Sequence, residues 1–496
     1  MTQERLPFQY EVEGSSVGMT GLGGLPVYLE LMHRMGFREM VGEHLHIRKA
    51  QGYTDAQVVT ALMFLNLAGG DSVDDIRVLE ADEGFCRILS RAENFCMKRK
   101  ERRQMGERFR KGKNRNVPSP SAIFRYLDRY HDETQERKPG AWIPELKGLN
   151  GFMEVNKAVT AFLQKNNPKK TATLDMDATL IETQKDNALY SYKGFKSYQP
   201  LNTWWHEHNI VIHTEFRDGN VPARYDNFRA LKESLEILPE GVEEVYFRSD
   251  SAGYQHDILK FCEKNDTRFG KIGYAIASEV SSSFKESVVE VAEWKPFYKE
   301  IEGKLYETNQ EYAEVCFIPN AAGFKKKDEP NRYIAIREPV YEQAQLPWAE
   351  PSGYPFPVMD IENRRYKIFG VVTNLDWKAD EVIRWHRKRC GKCEEAHSIM
   401  KSDLAGGKLP SDKFGANAAW WWIMILSLNL NSIMKTLVLG KSWISKRMKA
   451  IRFSLINIPG RIINHARYLI IKISGSHPSS SLLLRARETI ALLCPV

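Results

Sequence analysis

The chain is short of the features that mark several whole classes of protein. Its N-terminus, MTQERLPFQYEVEG, has no apolar signal core. The most apolar run, Ala418–Leu430 (AAWWWIMILSLNL), is too short to span a bilayer and is flanked or interrupted by Asn417, Asn429 and Asn431. It is expected to be a buried helix, and no membrane partner is expected. Seven cysteines, at 86, 96, 262, 316, 390, 393 and 494, are too scattered in 496 residues for a disulfide framework. A reducing, cytoplasmic setting is the simplest fit. Cys390 and Cys393, with His397 a turn later, invite a zinc site, but no second CxxC or HxxxH pair completes a tetrahedral set, and cysteines inside a helix commonly just pack.

What is present begins with size and charge. The length suits roughly three domains, and 43% hydrophobic residues suit globular cores. The net charge of +8 is uneven: Lys98–Arg115 alone holds ten basic and two acidic residues. Lys98, Arg99, Lys100, Arg102, Arg103, Arg110, Lys111 and Lys113 therefore form a basic arm. Such a run is either a solvated loop or a contact to a phosphate backbone.

The most informative stretch is Thr171–Thr183, TATLDMDATLIET. Leu174, Met176, Ala178 and Leu180 alternate with Thr173, Asp175, Asp177 and Thr179, the period-two pattern of a strand. Asp175 and Asp177 then share a face. A solvated polar face has this pattern too, but carboxylates within an apolar run can be offset by a divalent metal. A second stretch, VEEVYFRSDSAGY (242–254), reads as a short strand ending at Arg248-Ser249-Asp250 before a turn of small residues. Open α/β sheets place functional residues at such carboxyl ends.

The remaining chain frames these two. Residues 1–131 read as an all-α domain, in which PSPSAIFRYL opens a helix and Asp71 and Ser72 are candidate caps. Residues 132–170 read as a polar connector. YSYKGFKSYQPLNTWW interleaves Tyr190, Tyr192, Phe195, Tyr198, Trp204 and Trp205 with Lys193 and Lys196, a composition that suits stacking on nucleic acid or a half-buried hairpin. Residues 281–373 read as a mainly β insertion between core segments 171–280 and 374–440, and 441–496 as a closing subdomain. Asp380 is expected to cap a helix running through EVIRWHRKRCGKCEEAHSIMKSDL, on which seven-residue spacing places Arg387, Glu394 and Lys401 on one face. A solvated charged helix has the same spacing, and Glu395 lies about 100° away.

The order of acids, Asp177, Asp250 and Glu394 with a β insertion before the last, resembles the DDE transposases of bacterial insertion sequences, of the inserted-domain type and nearest the insertion sequence 1380 family. The likeness is carried by LDMDAT, FRSDSAGY, RCGKCEEAHSIMKSDLAGGKLPSDKFGANAAWWW, AGGDSVDDIRVLEAD and PSPSAIFRYL. It implies an α/β RNase H-like catalytic core with an inserted β-rich domain, preceded by an all-α DNA-binding domain. It also implies two Mg²⁺ ions, replaceable by Mn²⁺, held by Asp177, Asp250 and Glu394, with Asp175 and Glu395 as alternates. Related enzymes carry Tyr-x2-Arg-x3-Glu-x6-Lys on the last helix. Here Glu394 and Lys401 fit, while Arg389 is one position too far from Glu394 and Trp385 or His386 replaces the tyrosine.

Two metals about 4 Å apart can activate a water or a 3′ hydroxyl and stabilise the leaving oxygen of an in-line attack on a phosphodiester. Arg248, Arg387, Arg389 and Lys401 are then candidates for phosphate contacts. The expected function is binding of terminal inverted repeats in double-stranded DNA, cleavage, and strand transfer into target DNA by a homodimer in a synaptic complex. A catalytically inert DNA-binding protein, a stand-alone nuclease and a glycoside hydrolase using Asp175 or Asp177 are the rival readings.

Overall fold

The structure is a computed structural model that describes residues 18–47, 52–107, 116–135, 140–319, 331–340, 354, 356–465 and 468–495. Arg110, Lys111 and Lys113 of the basic arm, and most of the proline-rich stretch 347–357, lie outside the described residues. The chain divides into two units, one made of Met1–Asp132, Leu146–Val155 and Ser402–Val496, the other of Glu133–Glu145 and Asn156–Lys401.

The second unit is built on a ten-stranded mixed sheet. Its strands are β1 (Thr171–Ala178), β2 (Leu201–Trp205), β3 (Ile210–Glu215), β4 (Glu244–Ser249), β5 (Gly273–Ser278), β6 (Lys295–Ile301), β7 (Lys304–Val315), β8 (Arg332–Pro339), β9 (Val358–Ile361) and β10 (Arg364–Thr373). They lie in the order β3-β2-β1-β4-β5-β10-β8-β7-β6, with β9 beside β10. β1 runs antiparallel to β2 and parallel to β4, and β4 runs parallel to β5. The parallel crossovers pass through helices α1 (Asn227–Ile237) and α2 (His256–Glu263), the connection that a parallel pair requires. Ala172, Leu174 and Met176 of β1 are buried, and so are Thr173 and Asp175 on its other face. The strand is central and covered on both sides, so its polar face is not the solvated one that alternation alone permits. This mixed sheet agrees with the expected RNase H-like core.

The strands of the expected insertion do not stand apart. β10 pairs antiparallel with β5, from Gly370↔Ser278 to Thr373↔Ala275, so β6–β10 extend the same sheet. Ile334, Ile336 and Val371 of these strands pack with Ala275 of β5 and with Val382 and Ile383 of the following helix in one hydrophobic cluster.

The first unit groups segments that the expected boundaries separate. The expected N-terminal domain and the C-terminal segments share one core, whose axis is the helix Phe414–Ile433, buried along its whole length. Against it packs Asp55–Ala68, opened by a capping box in which Thr54 and Gln57 satisfy each other's backbone N–H groups. Tyr28 donates to Asn431 Oδ1 at 2.9 Å and Arg452 Nε to the Leu67 carbonyl at 2.8 Å, tying together segments distant in sequence. Nor is this region all-α, because Met19–Thr20 pairs with Gly460–His465, which pairs with Tyr468–Ile473. With its continuation, Phe414–Leu439 spans 26 residues and is long and apolar enough to cross a membrane, unlike the shorter run read from sequence. In this chain it is the interior of the unit. The expected connector holds a 20-residue helix, Lys147–Asn166, with Phe152, Val155, Val159, Phe162 and Leu163 buried. Ser72 caps a short 3-10 turn, and Ser119 precedes the helix Pro120–Leu127.

Candidate active site

The parallel register of β1 and β4 aligns Met176 with Ser249, so Asp177 and Asp250 follow at the carboxyl ends of neighbouring strands. Asp250 is partly oriented by its own turn, its Oδ1 accepting the Ala252 N–H at 3.0 Å. Burial raises the Asp177 carboxyl to about 6; Arg389 pulls it down and the negative charges of Asp250 and Asp175 push it up. The two carboxylates are therefore close enough to sense each other.

Asp175 is used differently. Arg248 Nε and Nη2 donate to its two carboxylate oxygens at 2.6 and 2.7 Å, a bidentate pair in which both side chains are about 1% exposed. His206 Nδ1 stands farther off, at 3.6 Å. Burial works against the charged form, but hydrogen bonds from His206 and Arg248 hold Asp175 below the ordinary carboxylate range. Arg248 also donates to the Trp385 carbonyl at 2.7 Å and lies 4.8 Å from that ring's centroid. Asp175, expected as an alternate metal ligand, and Arg248, expected as a phosphate contact, are instead engaged with each other. Together they lock β1 and β4 to the helix that covers them.

That helix is not continuous. Helix α3 spans Ala379–Arg387, Gly391 takes φ +81°, and helix α4 spans Lys392–Ser398 before a π turn at Ile399–Asp403. A positive φ of this kind is open to glycine at little cost. Lys378, not Asp380, is the N-cap, and Asp380 pairs with Arg384 at 2.7 Å. The single face expected for Arg387, Glu394 and Lys401 does not survive the break. Arg387 donates to Gln310 at 2.7 Å and lies 4.7 Å from the Phe297 ring, among the inserted strands. Arg389, in the turn between the helices, is the arginine that reaches the acids: its Nη1 is 3.8 Å from Asp177 Oδ2.

Helix α4 buries Cys393 and Ala396 and leaves Glu394 and Glu395 exposed. Among the described residues, no group of three His, Cys, Asp or Glu side chains is placed to hold a metal. The structure brings Asp177 and Asp250 together, and brings neither Glu394 nor Glu395 to them; it also leaves Cys390, Cys393 and His397 without a zinc geometry. Lys401 donates to the Leu180 carbonyl at 3.4 Å, and burial followed by the charge of Lys193 lowers its pKa. Burial takes His397 down to about 4, helped by Lys401 and Arg389. Sequence reasoning placed His386 only as a replacement for the signature tyrosine; its Nε2 donates to the Ser249 carbonyl at 3.1 Å and burial lowers it to about 4, so a neutral imidazole holds the backbone beside Asp250. In the first unit, Lys98, Arg99, Lys100, Arg102 and Arg103 are exposed at and along the helix Arg99–Glu107.

A family model described as the transposase DDE domain, group 1, matches residues 4–495. The chain belongs to this family. DDE-family membership brings transposase function, with endonuclease chemistry, DNA as the partner and divalent metal ions as the usual cofactor. Among solved structures the chain is similar to a piggyBac transposase in a synaptic complex with hairpin DNA, at 11% identity and a TM-score of 0.41, over 96% of this chain and 86% of that one. No curated protein matches it. The donor set of this DDE chain fits a hard divalent cation, since two carboxylates that repel each other at partly buried, adjacent strand ends offer the oxygen ligands such ions select.

Proposed function

We propose that this protein is the transposase of an insertion sequence of the 1380 type, which binds the element's terminal inverted repeats and moves it by cut-and-paste strand cleavage and transfer. The observation that carries the reading is the approach of Asp177 and Asp250 at adjacent strand ends with the Arg389 guanidinium beside them, its Nη1 3.8 Å from Asp177. In this reading Asp177, Asp250 and Glu394 hold two Mg²⁺ ions, Glu394 coming from the exposed first turn of α4. When bound, such ions supply activation of the attacking oxygen and charge stabilisation of the leaving oxygen.

The protein's own groups do the rest. Arg389, beside Asp177, and Lys401, at the Leu180 carbonyl three residues beyond it, offset phosphate charge, and their burial strengthens that effect. His386 keeps the Ser249–Asp250 backbone in place without adding charge. Lys98, Arg99, Lys100, Arg102 and Arg103 grip the phosphate backbone of the repeat. A homodimer brings the two ends together. The exposed position of Glu394 favours one second reading, a DNA-binding protein of this family that does not cut.

Strand transfer separates the two. Purified protein, Mg²⁺ and a duplex ending in the flanking repeat are incubated with a supercoiled plasmid. Joined products with wild type and none with Asp250→Ala support the transposase; sequence-specific binding without joined or nicked products supports the inert protein.

A further inference from the structure

The turn that carries Asp250 is gripped by side chains to which the chemistry above gives no part. Asp250 Oδ1 accepts the Ala252 N–H at 3.0 Å, and the Gly253 N–H donates to the Asp250 carbonyl at 3.1 Å. The turn has no slack, because a Cβ on Gly253 would lie 2.5 Å from both Cβ and Oγ of Ser249. The carbonyl of Ala252 then accepts two side-chain amides. Gln255 Nε2, from the N-cap of α2, donates to it at 2.9 Å, and Asn227 Nδ2, from the first residue of α1, donates at 3.3 Å. The starts of both crossover helices are thereby tied to the residue whose N–H orients Asp250.

Asn227 is fully buried and is itself held in place. Arg217, two residues past the end of β3 and equally buried, donates from Nη1 to Asn227 Oδ1 at 3.4 Å and from Nε to Glu215 at 2.6 Å. Arg229 donates from Nε to Asp226 at 2.6 Å and from Nη1 to Glu233 at 2.8 Å, which fixes the approach to α1. A buried ion pair such as Arg217–Glu215 seldom stabilises a fold more than apolar packing of the same volume would. What this network delivers is one amide, aimed at Ala252.

We propose that Asn227 and Gln255 are positioning residues for the divalent ion: through Ala252 they fix the orientation of the Asp250 carboxylate, and Arg217 keeps Asn227 in place. The inference rests on Asp250 being a metal ligand, as in the function proposed above. Groups that orient a metal's ligands from behind are commonly worth about 10–100-fold in metal affinity. Their loss weakens the ion's binding and leaves the reaction of the loaded protein intact.

The test measures Mn²⁺ binding to the full chain, read by loss of the free ion's electron paramagnetic resonance signal, beside the Mg²⁺ concentration that half-saturates nicking of the repeat duplex. Gln255→Met should weaken Mn²⁺ binding about threefold and Asn227→Ala/Gln255→Met about tenfold, with half-saturating Mg²⁺ raised to match and the rate at saturating Mg²⁺ within about twofold of wild type. Gln255 is only half-buried, so Gln255→Met carries the test if the double variant does not fold. Wild-type Mn²⁺ affinity in folded Gln255→Met, or a loss of rate that excess Mg²⁺ does not restore, would overturn the positioning role. Equal Mn²⁺ binding by wild type and Asp250→Ala would instead remove Asp250 from the metal, so that the function proposed above fails and the positioning role with it.

Discussion

Arg389 Nη1 stands 3.8 Å from Oδ2 of Asp177, while Nε of the same guanidinium is buried with no hydrogen-bond partner. The cation is thus held at the acids by charge more than by a closed hydrogen-bond set. That one donor of the fork has no partner within the protein, and its burial adds to the cost of the charge there.

Arg389→Met should therefore act twice. Without the cation, Asp177 rises above its value of about 6, and the acid limb of the cleavage profile moves to higher pH. Cleavage at the optimum falls by about 10²-fold, the usual cost of removing a group that stabilises developing charge. The pH dependence of the rate checks this; an unshifted limb in the variant would remove Arg389 from the site.

Asp177 itself should cost the protein stability at neutral pH. Its folded pKa is raised above the unfolded one, so its contribution is fully present below about pH 4 and is lost as pH rises through about 6. The penalty at pH 7 is about 3 kcal/mol. Asp177→Asn should accordingly be inactive yet melt higher than wild type at pH 7, with the difference shrinking toward pH 4. Mg²⁺ should raise the melting temperature of wild type and not of the variant, which calorimetry with and without EDTA will read.

The Asp175–Arg248 pair predicts the opposite pattern. Arg248→Met leaves a buried carboxylate unpaired and should destabilise by about 3–5 kcal/mol. Adding Asp175→Asn should restore much of that loss. A phosphate-binding Arg248 would instead lose DNA affinity at unchanged stability, so denaturant titration of the single and double variants distinguishes the roles.

His386 and His397 are both buried and lowered to about 4. A histidine depressed on folding gives stability that is present above about pH 6.5 and is lost as pH falls toward 4. This runs against Asp177 over the same window. His386→Gln keeps a donor for the Ser249 carbonyl but cannot charge, so its stability should fall less steeply than wild type between pH 6.5 and 4.5. An equal slope would mean that His386 is not held neutral.

Much of the site was legible because its signals are local. Asp177 in an alternating apolar run and Asp250 after a short strand are statements about a few neighbouring residues, and the strand and turn are where those patterns place them. Distinguishing Asp175 from Asp177 was not local. Both lie on one face, and only the cross-strand register Asp175↔Arg248 assigns the first to an ion pair. The break at Gly391 was hidden for a related reason, since one glycine in a charged helical pattern does not announce a left-handed turn. The shared core of the N- and C-terminal segments depends on contacts such as Tyr28 to Asn431, which no window of sequence contains. The helix within the expected connector was readable from the spacing of Phe152, Val155, Val159 and Phe162, and polar composition at its end obscured it.

Asp177, Asp250 and Glu394 are proposed to act together on a phosphodiester. The direct measurement is cleavage of an end-labelled duplex carrying the terminal repeat, with Mg²⁺ or EDTA, by wild type, Asp250→Ala, Glu394→Gln and Glu395→Gln. Nicking at the repeat boundary that needs Mg²⁺, is lost in Asp250→Ala and Glu394→Gln and is kept in Glu395→Gln is the predicted result. Cleavage that persists in EDTA or in Asp250→Ala would contradict the account, and loss in Glu395→Gln with retention in Glu394→Gln would move the third acid by one residue.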